Sequence, residues 1–207
     1  MSARVNPAVI ILAGGASSRM GQDKSGLKLP DEKTLLEYML EKYQEDYMVF
    51  ISGRPEVKTS SYKKIADIFD SRLGPVAGII SSIIWLIGTH PEIKQCIFIP
   101  VDLAYLEAED LLTLTNSKSD IAYFKNSPLP LKVRILSKTA GICYNVINEM
   151  SAGKSYPVYK FIQQFGSSSE LTDISPKNLT NMNYIEDWES FLNEYLLKSG
   201  IHPDKTK

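Results

Sequence analysis

The chain has 207 residues, 43% of them hydrophobic and 23% charged, so it can bury a full hydrophobic core and keep a polar surface. Its 23 basic and 24 acidic residues give a formal net charge of −1 and form no long basic stripe. This balance excludes nucleic acid as the main partner, but it is compatible with a small anion bound by a few local cations.

The first half of the chain alternates predicted strands with predicted helices. Apolar runs without an alternating pattern indicate strands that are covered on both faces. Such runs occupy residues 8–12 and 97–101, and further strands are predicted at 49–52 and, as a short one, at 65–69. Helical patterns begin at Thr34, Pro75 and Glu109. The alternation predicts an α/β fold, with a doubly wound, mostly parallel sheet and helices on both faces.

Two of these helices carry clear start signals. Thr34 and Glu37 have the spacing of a capping box, and an apolar stripe follows them. Gly74 and Pro75 open the second helix, where proline is tolerated because the first N–H groups of a helix have no partner within it. Its apolar segment, residues 76–87, is shorter than the roughly 20 residues of a membrane span, so we expect a buried helix.

The second half of the chain gives a weaker pattern. It predicts strands at residues 121–124 and 132–136, and helices at 139–150, 158–165 and 187–197. Residues 166–169 are predicted to form a flexible surface loop, and residues 199–207 a polar tail. We expect a single domain over residues 1–198, with a boundary between two halves near residue 118.

The two cysteines, Cys96 and Cys143, have no close spacing partner, so neither a zinc site nor a disulfide framework is predicted. Two buried free thiols are the expectation, as in a reducing cytosol. The N-terminus does not have the pattern of a signal peptide. Together these features predict a cytoplasmic protein that has no membrane partner.

The segment 12–24, LAGGASSRMGQDK, is the most informative part of the sequence. Because it follows a buried strand, it is expected at the edge of the sheet where α/β proteins bind ligands. Glycines there let backbone N–H groups approach phosphate oxygens, and Arg19 and Lys24 supply two cations. The segment is neither G-x-G-x-x-G nor a P-loop. On these grounds alone, a glycine-rich turn beside incidental surface cations remains an alternative.

This segment resembles the L-A-G-G-x-S-x-R-M-G-x-D-K signature of the molybdenum cofactor guanylyltransferases (MobA) and their nucleotidyltransferase relatives. The resemblance implies a Rossmann-like nucleotidyltransferase fold and transfer of GMP from GTP to the phosphate of molybdopterin, with Mg²⁺ as cofactor and release of pyrophosphate. It also implies that Arg19 and Lys24 hold the phosphates. The residues implied to contact the nucleotide are Leu12, Ala13, Gly14 and Gly15.

Two further motifs extend the resemblance. Asp70, followed by Gly74-Pro75-Val76-Ala77-Gly78, resembles the acidic residue and G-P-L-A-G turn of the family, which implies that Asp70 contacts the base or ribose. Pro100-Val101-Asp102 resembles P-C-D-x-P, which implies that Asp102 binds the metal. A carboxylate directly after a buried strand also suits Mg²⁺ on chemical grounds, although a helix cap or turn is the alternative.

Other parts of the chain match the family less well. Ser52 stands where relatives often carry an asparagine near the base, and Asn183 resembles the second asparagine of an N-x-N motif. Asn183 is expected to reach the metal or the acceptor phosphate, or else to cap the last helix. Leu129-Pro130 replaces a His-Pro near the pterin acceptor, and Val101 and Ala104 depart from P-C-D-x-P.

The resemblance assigns nucleotide binding to residues 1–117 and acceptor binding to residues 118–198. The implied partners are GTP, molybdopterin or molybdenum-molybdopterin, and, transiently, other molybdenum cofactor proteins. Three alternatives stay open. The chain could be a cytidylyltransferase acting on the same cofactor, a nucleotidyltransferase with another small phosphorylated acceptor, or a catalytically idle nucleotide-binding adaptor. Gly14-Gly15 favours guanine over cytosine, and the presence of both Lys24 and Asp102 disfavours the idle adaptor.

Overall fold

The computed structural model describes residues 7–14, 23–53, 62–69, 73–151, 153 and 155–200. Within these ranges, one sheet of seven strands forms the centre of the protein. The strands are β1 Ala8–Leu12, β2 Met48–Ser52, β3 Lys63–Ile65, β4 Gln95–Pro100, β5 Ile121–Phe124, β6 Ser127–Arg134 and β7 Ser168–Leu171. The α-helices are α1 Leu35–Tyr43, α2 Pro75–Thr89, α3 Ala108–Asn116, α4 Thr139–Met150, α5 Val158–Ile162 and α6 Ile185–Ser199.

The sheet has the strand order β3-β2-β1-β4-β6-β5-β7. Strands β3, β2, β1 and β4 are parallel to one another. Strand β6 runs antiparallel to both of its neighbours, and β7 is parallel to β5. Six of the seven described strands therefore point the same way, which confirms the predicted mostly parallel sheet.

Each face of the sheet carries its own hydrophobic core. Along β1, Val9 and Ile11 pack on the side of α1, α3 and α6, while Ala8 and Ile10 pack on the side of α2, α4 and α5. All four side chains are fully buried. Because successive side chains of a strand point to opposite faces, an uninterrupted apolar run is required where both faces are covered. The predicted doubly wound arrangement is thus confirmed.

Helix α1 begins as the sequence predicts. The Thr34 hydroxyl accepts a hydrogen bond from the Glu37 backbone N–H at 3.1 Å, and the Glu37 carboxylate accepts one from the Thr34 backbone N–H at 2.7 Å. This capping box satisfies N–H groups that have no partner inside the helix. Its apolar stripe is fully buried: Leu35, Leu36, Met39, Leu40 and Tyr43.

The prediction of a flexible surface loop at residues 166–169 is wrong, because β7 begins at Ser168. Among the described strands, this one lies at the edge of the sheet and pairs with β5 alone, so that β5 bonds one side of its backbone. Its sequence, SSEL, has a single apolar residue, and its side chains alternate between exposed and partly buried. Backbone pairing with β5 therefore determines this strand, and the side-chain pattern gives little sign of it.

Several predicted boundaries shift. Strand β3 ends at Ile65, four residues before the predicted end, and β6 begins at Ser127, five residues before the predicted start. Helix α5 ends at Ile162, and α6 extends through Ser199, the first residue of the predicted tail. Residues 201–207 of that tail lie outside the described residues.

Helix α2 is buried along most of its length, as predicted from its apolar sequence. In the part of the chain that the structure describes, no helix combines the length and the apolar character needed to cross a bilayer. Both cysteines are buried free thiols, as expected. Burial raises the pKa of the Cys143 thiol to about 12, and it raises that of Cys96 further.

Candidate functional site

The carboxyl ends of three parallel strands meet at one edge of the sheet. Leu12, the last residue of β1, stands beside Ser52 of β2 and Pro100 of β4. The Ala13 N–H donates to the Ser52 carbonyl at 2.9 Å, and the Val101 N–H donates to the Leu12 carbonyl at 3.2 Å. These bonds continue the sheet just past its strands, so the residues that follow the strands converge.

A cleft of about 600 Å³ opens at this edge. Strand ends, the N-terminus of α2, the start of β6 and the segment before α6 form its walls. The lining residues are Leu12, Ala13, Gly14, Asp23, Lys24, Ser52, Gly53, Asp67, Gly74, Pro75, Gly78, Pro100, Val101, Asp102, Ser127, Pro128, Leu129, Asn181 and Asn183. Ligand sites in α/β proteins commonly lie beyond the carboxyl ends of the strands, and a cleft of this size suits a drug-sized ligand.

Lys24 lies in a short 3₁₀ helix, Lys24–Gly26, whose start is capped by the Asp23 carboxylate accepting from the Ser25 N–H at 3.0 Å. Leu27 and Leu29 are buried directly after it, which fixes the segment against the core. The Lys24 ammonium points into the cleft. It donates to the Asp102 carboxylate at 2.8 Å and to the Asn183 side-chain oxygen at 2.8 Å.

Asp102 and Asn183 are held together by the backbone. The Met182 N–H donates to the Asp102 carbonyl at 3.0 Å, and the Met182 side chain is fully buried. The Asp187 carboxylate accepts from the Asn183 and Tyr184 N–H groups at 3.0 and 2.9 Å. Asp187 thus stabilises the start of α6. The Asn183 side chain lines the cleft, which is the location expected if it reaches the metal or the acceptor phosphate.

Glycines allow three segments to approach closely on the side of the cleft formed by β1, β2 and α2. A Cβ on Gly53, where φ is +106°, would lie 2.8 Å from the Gly14 Cα. A Cβ on Gly78 would lie 2.7 Å from the Ser52 hydroxyl oxygen. That hydroxyl donates to the Gly78 carbonyl at 3.3 Å, and Ser52 is only 2% exposed. Ser52 therefore joins β2 to α2 as well as lining the cleft.

Asp67 lines the cleft, although no sequence motif predicted it as a site residue. A Cβ on Gly14 or Gly78 would lie 3.9 or 3.7 Å from its carboxylate oxygens. Because β3 ends at Ile65 rather than at residue 69, the first carboxylate beyond the strand is Asp67. A prediction that ended β3 at Ile65 would have identified Asp67 as a candidate site residue. Asp70 lies outside the described residues, and its role stays a prediction.

The other predicted site residues divide into two groups. Leu12, Ala13, Gly14, Lys24, Ser52, Asp102 and Asn183 all line the cleft. Gly15 and Arg19 lie outside the described residues, so their contacts with a nucleotide stay predictions. Gly74 has φ of +85° and caps the start of α2, which agrees with its predicted role in shaping the turn.

The charged lining is concentrated on the side of the cleft away from β6. Among the described lining residues, Asp23, Lys24, Asp67 and Asp102 carry charge, whereas β6 contributes Ser127, Pro128 and Leu129. This neutral wall contains the segment in which Leu129-Pro130 replaces the His-Pro of the family. The side of the cleft toward β6 therefore offers apolar surface and one hydroxyl group.

Comparisons of the sequence and of the structure find relatives of the same kind. Residues 9–153, more than half of the chain, match the MobA-like NTP transferase domain family. A molybdenum cofactor guanylyltransferase from Xanthomonas euvesicatoria pv. vesicatoria is 32% identical over 129 residues, covering 61% of this chain and 63% of that protein. The match therefore spans less than two thirds of that relative.

Longer matches are more distant. A probable molybdenum cofactor guanylyltransferase from Clostridium perfringens is 26% identical over 203 residues, covering 91% of this chain and 97% of that protein. The crystal structure of molybdopterin-guanine dinucleotide biosynthesis protein A from Archaeoglobus fulgidus superposes with a TM-score of 0.71 at 19% identity, covering 92% of this chain and 99% of that one. The fold, the cleft and the extent of the family match lead to one conclusion: the chain belongs to the MobA-like NTP transferase domain family of nucleotidyltransferases.

Proposed function

We propose that the protein transfers GMP from GTP to the phosphate of molybdopterin and releases pyrophosphate. The observation that carries this proposal is the pairing of Lys24 with Asp102 inside one cleft, at the carboxyl edge of a mostly parallel sheet. The names of the relatives supply the identity of the substrates. The cleft chemistry supports a nucleoside triphosphate donor and a small acceptor.

The nucleotide would bind along the ends of β1 and β2. Leu12, Ala13 and Gly14 line the cleft there, and the close approach of Gly53 to Gly14 leaves backbone rather than side chains facing the ligand. Asp67 is placed to accept hydrogen bonds from N–H or O–H groups of a base or ribose. Lys24 supplies a mobile point charge for the phosphates, and Arg19 is predicted to add a second cation.

Asp102 and Asn183 would hold Mg²⁺. A carboxylate and an amide oxygen are the hard ligands that this ion takes, and in this structure both oxygens already converge on one cationic group, the Lys24 ammonium. Within the described residues, no cluster of three or more His, Cys, Asp or Glu side chains could hold a metal. Few protein ligands are typical of Mg²⁺ sites, in which waters and substrate phosphates complete the shell. When bound, the ion would neutralise charge on the phosphate oxygens.

The reaction itself requires charge and positioning. An oxygen of the acceptor phosphate attacks the α-phosphorus of GTP, a new P–O bond forms, and the bond from that phosphorus to the oxygen bridging to the β-phosphate breaks. Pyrophosphate leaves with that bonding electron pair. The acceptor phosphate is already ionised near neutral pH, so no strong general base is needed. Lys24 would offset the negative charge that grows on the leaving phosphates.

The acceptor would lie against β6. Ser127, Pro128 and Leu129 form a neutral wall there, and Asn181 and Asn183 line the cleft from the segment before α6. A flat heterocycle can pack on such apolar surface, while amide and hydroxyl groups bind its polar edge. The proposed acceptor site therefore needs no histidine from this segment.

Pyrophosphate release tests the proposal. The purified protein is incubated with Mg²⁺, molybdopterin and, in separate reactions, GTP, CTP, ATP or UTP. The expected result is release that requires molybdopterin and is fastest with GTP. Faster release with CTP would identify a cytidylyltransferase instead, and release only with another phosphorylated acceptor would reject molybdopterin.

A binding measurement separates an enzyme from an idle adaptor. A ligand that binds only the folded state raises the melting temperature, so GTP with Mg²⁺ should stabilise the protein more than CTP does. Stabilisation by GTP without pyrophosphate release under any acceptor condition would indicate an adaptor.

A further inference from the structure

The cleft contains a cation of its own at the proposed metal position. The Lys24 ammonium bonds at 2.8 Å to Asp102 Oδ2 and at 2.8 Å to Asn183 Oδ1. The three side chains come from separate parts of the chain: Asp102 is 78 residues and Asn183 is 159 residues after Lys24. The distances are those of charge-assisted hydrogen bonds.

The contacts are partly shielded from water. The side chains of Lys24 and Asp102 are 12% and 20% exposed. Removing a cation from a partly buried carboxylate is costly unless another cation replaces it. The bond between Met182 and Asp102, together with the two bonds to Asp187, keeps the backbones of Asp102 and Asn183 in place whichever cation their side chains bind.

An ammonium group and a metal ion cannot occupy the same position between two oxygens. The position between Asp102 Oδ2 and Asn183 Oδ1 can therefore hold the Lys24 ammonium or a divalent cation, but not both at once. Among the described residues that line the cleft, Lys24 is the one lysine. Its flexible stem lets the ammonium move to phosphate oxygens when a nucleotide is present.

We propose that Lys24 is an exchangeable internal cation that competes with the divalent metal for Asp102 and Asn183. This inference rests on the proposed metal site and extends it. Without ligands, Lys24 keeps the two oxygens oriented and neutralised. When the metal arrives, the ammonium leaves the pair and becomes available to the triphosphate. Metal alone consequently binds weakly, and a triphosphate favours metal binding because it offers the displaced ammonium new partners.

Titration of the nucleotide-free protein with Mn²⁺ tests the competition, with the electron paramagnetic resonance signal of free Mn²⁺ as the readout. Lys24→Met removes the ammonium and keeps much of the side-chain length. Lys28→Met is the matched control, since it makes the same change in net charge at an exposed lysine that bonds to the Glu32 carbonyl. The double variant Lys24→Met/Asp102→Asn tests whether the gained binding occurs at Asp102.

Lys24→Met should bind Mn²⁺ about tenfold more tightly than the unmodified protein, because the ion no longer displaces a charged hydrogen bond. Lys28→Met should bind like the unmodified protein, and the double variant should lose the gain. Equal affinity in Lys24→Met and the unmodified protein would overturn the proposal, as would an equal gain in Lys28→Met or retention of the gain in the double variant.

A second measurement uses the unmodified chain and so does not depend on the folding of a variant. In ¹⁵N-lysine spectra, the Lys24 ammonium should exchange slowly with water while two oxygens hold it, and saturating Mg²⁺ should shift its signal. A signal that exchanges fast without Mg²⁺, or that stays unchanged at saturation, would contradict the exchange. Because neither experiment contains nucleotide or acceptor, their outcome is independent of whether GTP and molybdopterin are the substrates.

Discussion

The Lys24 ammonium lies 2.8 Å from the Asp102 carboxylate, although 78 residues separate them in the chain. One residue belongs to the glycine-rich segment after β1, and the other follows β4. The adjacency of β1 and β4 in the sheet brings these segments to the same edge. Charge pairs assembled in this way between strand ends commonly belong to ligand sites, since binding residues concentrate on loops that a rigid sheet positions.

Substitution of Asp102 should disable turnover. In Asp102→Asn the shape is retained but the negative charge is lost, so the proposed metal ligand and the partner of Lys24 are both weakened. We expect the rate of pyrophosphate release to fall by about a hundredfold or more, the usual scale for losing one contact that stabilises transition-state charge. Near-full activity in a variant with an unchanged circular dichroism spectrum would reject Asp102 as a catalytic residue.

Substitution of Gly78 should destabilise the protein through a steric contact. The new Cβ of Gly78→Ala would lie 2.7 Å from the Ser52 hydroxyl oxygen, closer than side-chain carbons approach, and we expect a loss of about 1–3 kcal/mol in the free energy of unfolding. Urea denaturation measures it. Gly88→Ala on the same helix is the control, because a Cβ there meets nothing within 4 Å.

The control should be neutral or stabilising, by up to about 1 kcal/mol, since alanine favours a helix over glycine. Ser52→Ala/Gly78→Ala should recover part of the lost stability, because the clashing oxygen is removed. Equal stability of the Gly78 and Gly88 variants would contradict the predicted contact.

Lys132 should make the free energy of unfolding depend on pH in the alkaline range. Its side chain is fully buried on β6, where its ammonium donates to the Ser117 and Ser119 carbonyls. Burial, with a smaller contribution from the charge of Arg134, lowers the pKa of Lys132 to about 8 from an ordinary value of 10.5. Between these two values the unfolded chain binds more protons than the folded one, so the contribution of this group to stability rises with pH.

The comparison of the unmodified protein with Lys132→Met isolates this group. The difference in unfolding free energy should stay constant below about pH 7 and shift in favour of the unmodified protein from pH 8 to pH 10.5. Urea denaturation at several pH values measures it. A difference that stays constant across this window would contradict the lowered pKa.

The two thiols should be unreactive in the folded protein. Cys96 and Cys143 are fully buried, and burial raises both pKa values, to about 12 for Cys143. Because the thiolate is the reactive form, Ellman's reagent at pH 8 should label neither residue on the timescale on which it labels both in urea. Rapid labelling of one thiol in the native state would show that the surrounding helices open readily.

Contiguous residues determined much of the fold. The buried run of β1 and the capping box of Thr34 and Glu37 were predicted correctly, because each depends on interactions within a few residues. The glycine-rich segment predicted a phosphate ligand, since backbone donors, Arg19 and Lys24 follow one another in the sequence, and this ligand stays a prediction. The roles of Gly15, Arg19 and Asp70 stay predictions.

Contacts between distant residues decided the rest. Strand β7 exists because its backbone pairs with β5, and its side chains carry no apolar pattern that would predict it. Asp67 and Asn183 belong to the cleft because the sheet order and the Met182–Asp102 bond bring them there. Sequence alone specifies which groups can accept a hydrogen bond, but only the packed chain decides which of them share a cation, since that depends on distances between segments that the sequence separates.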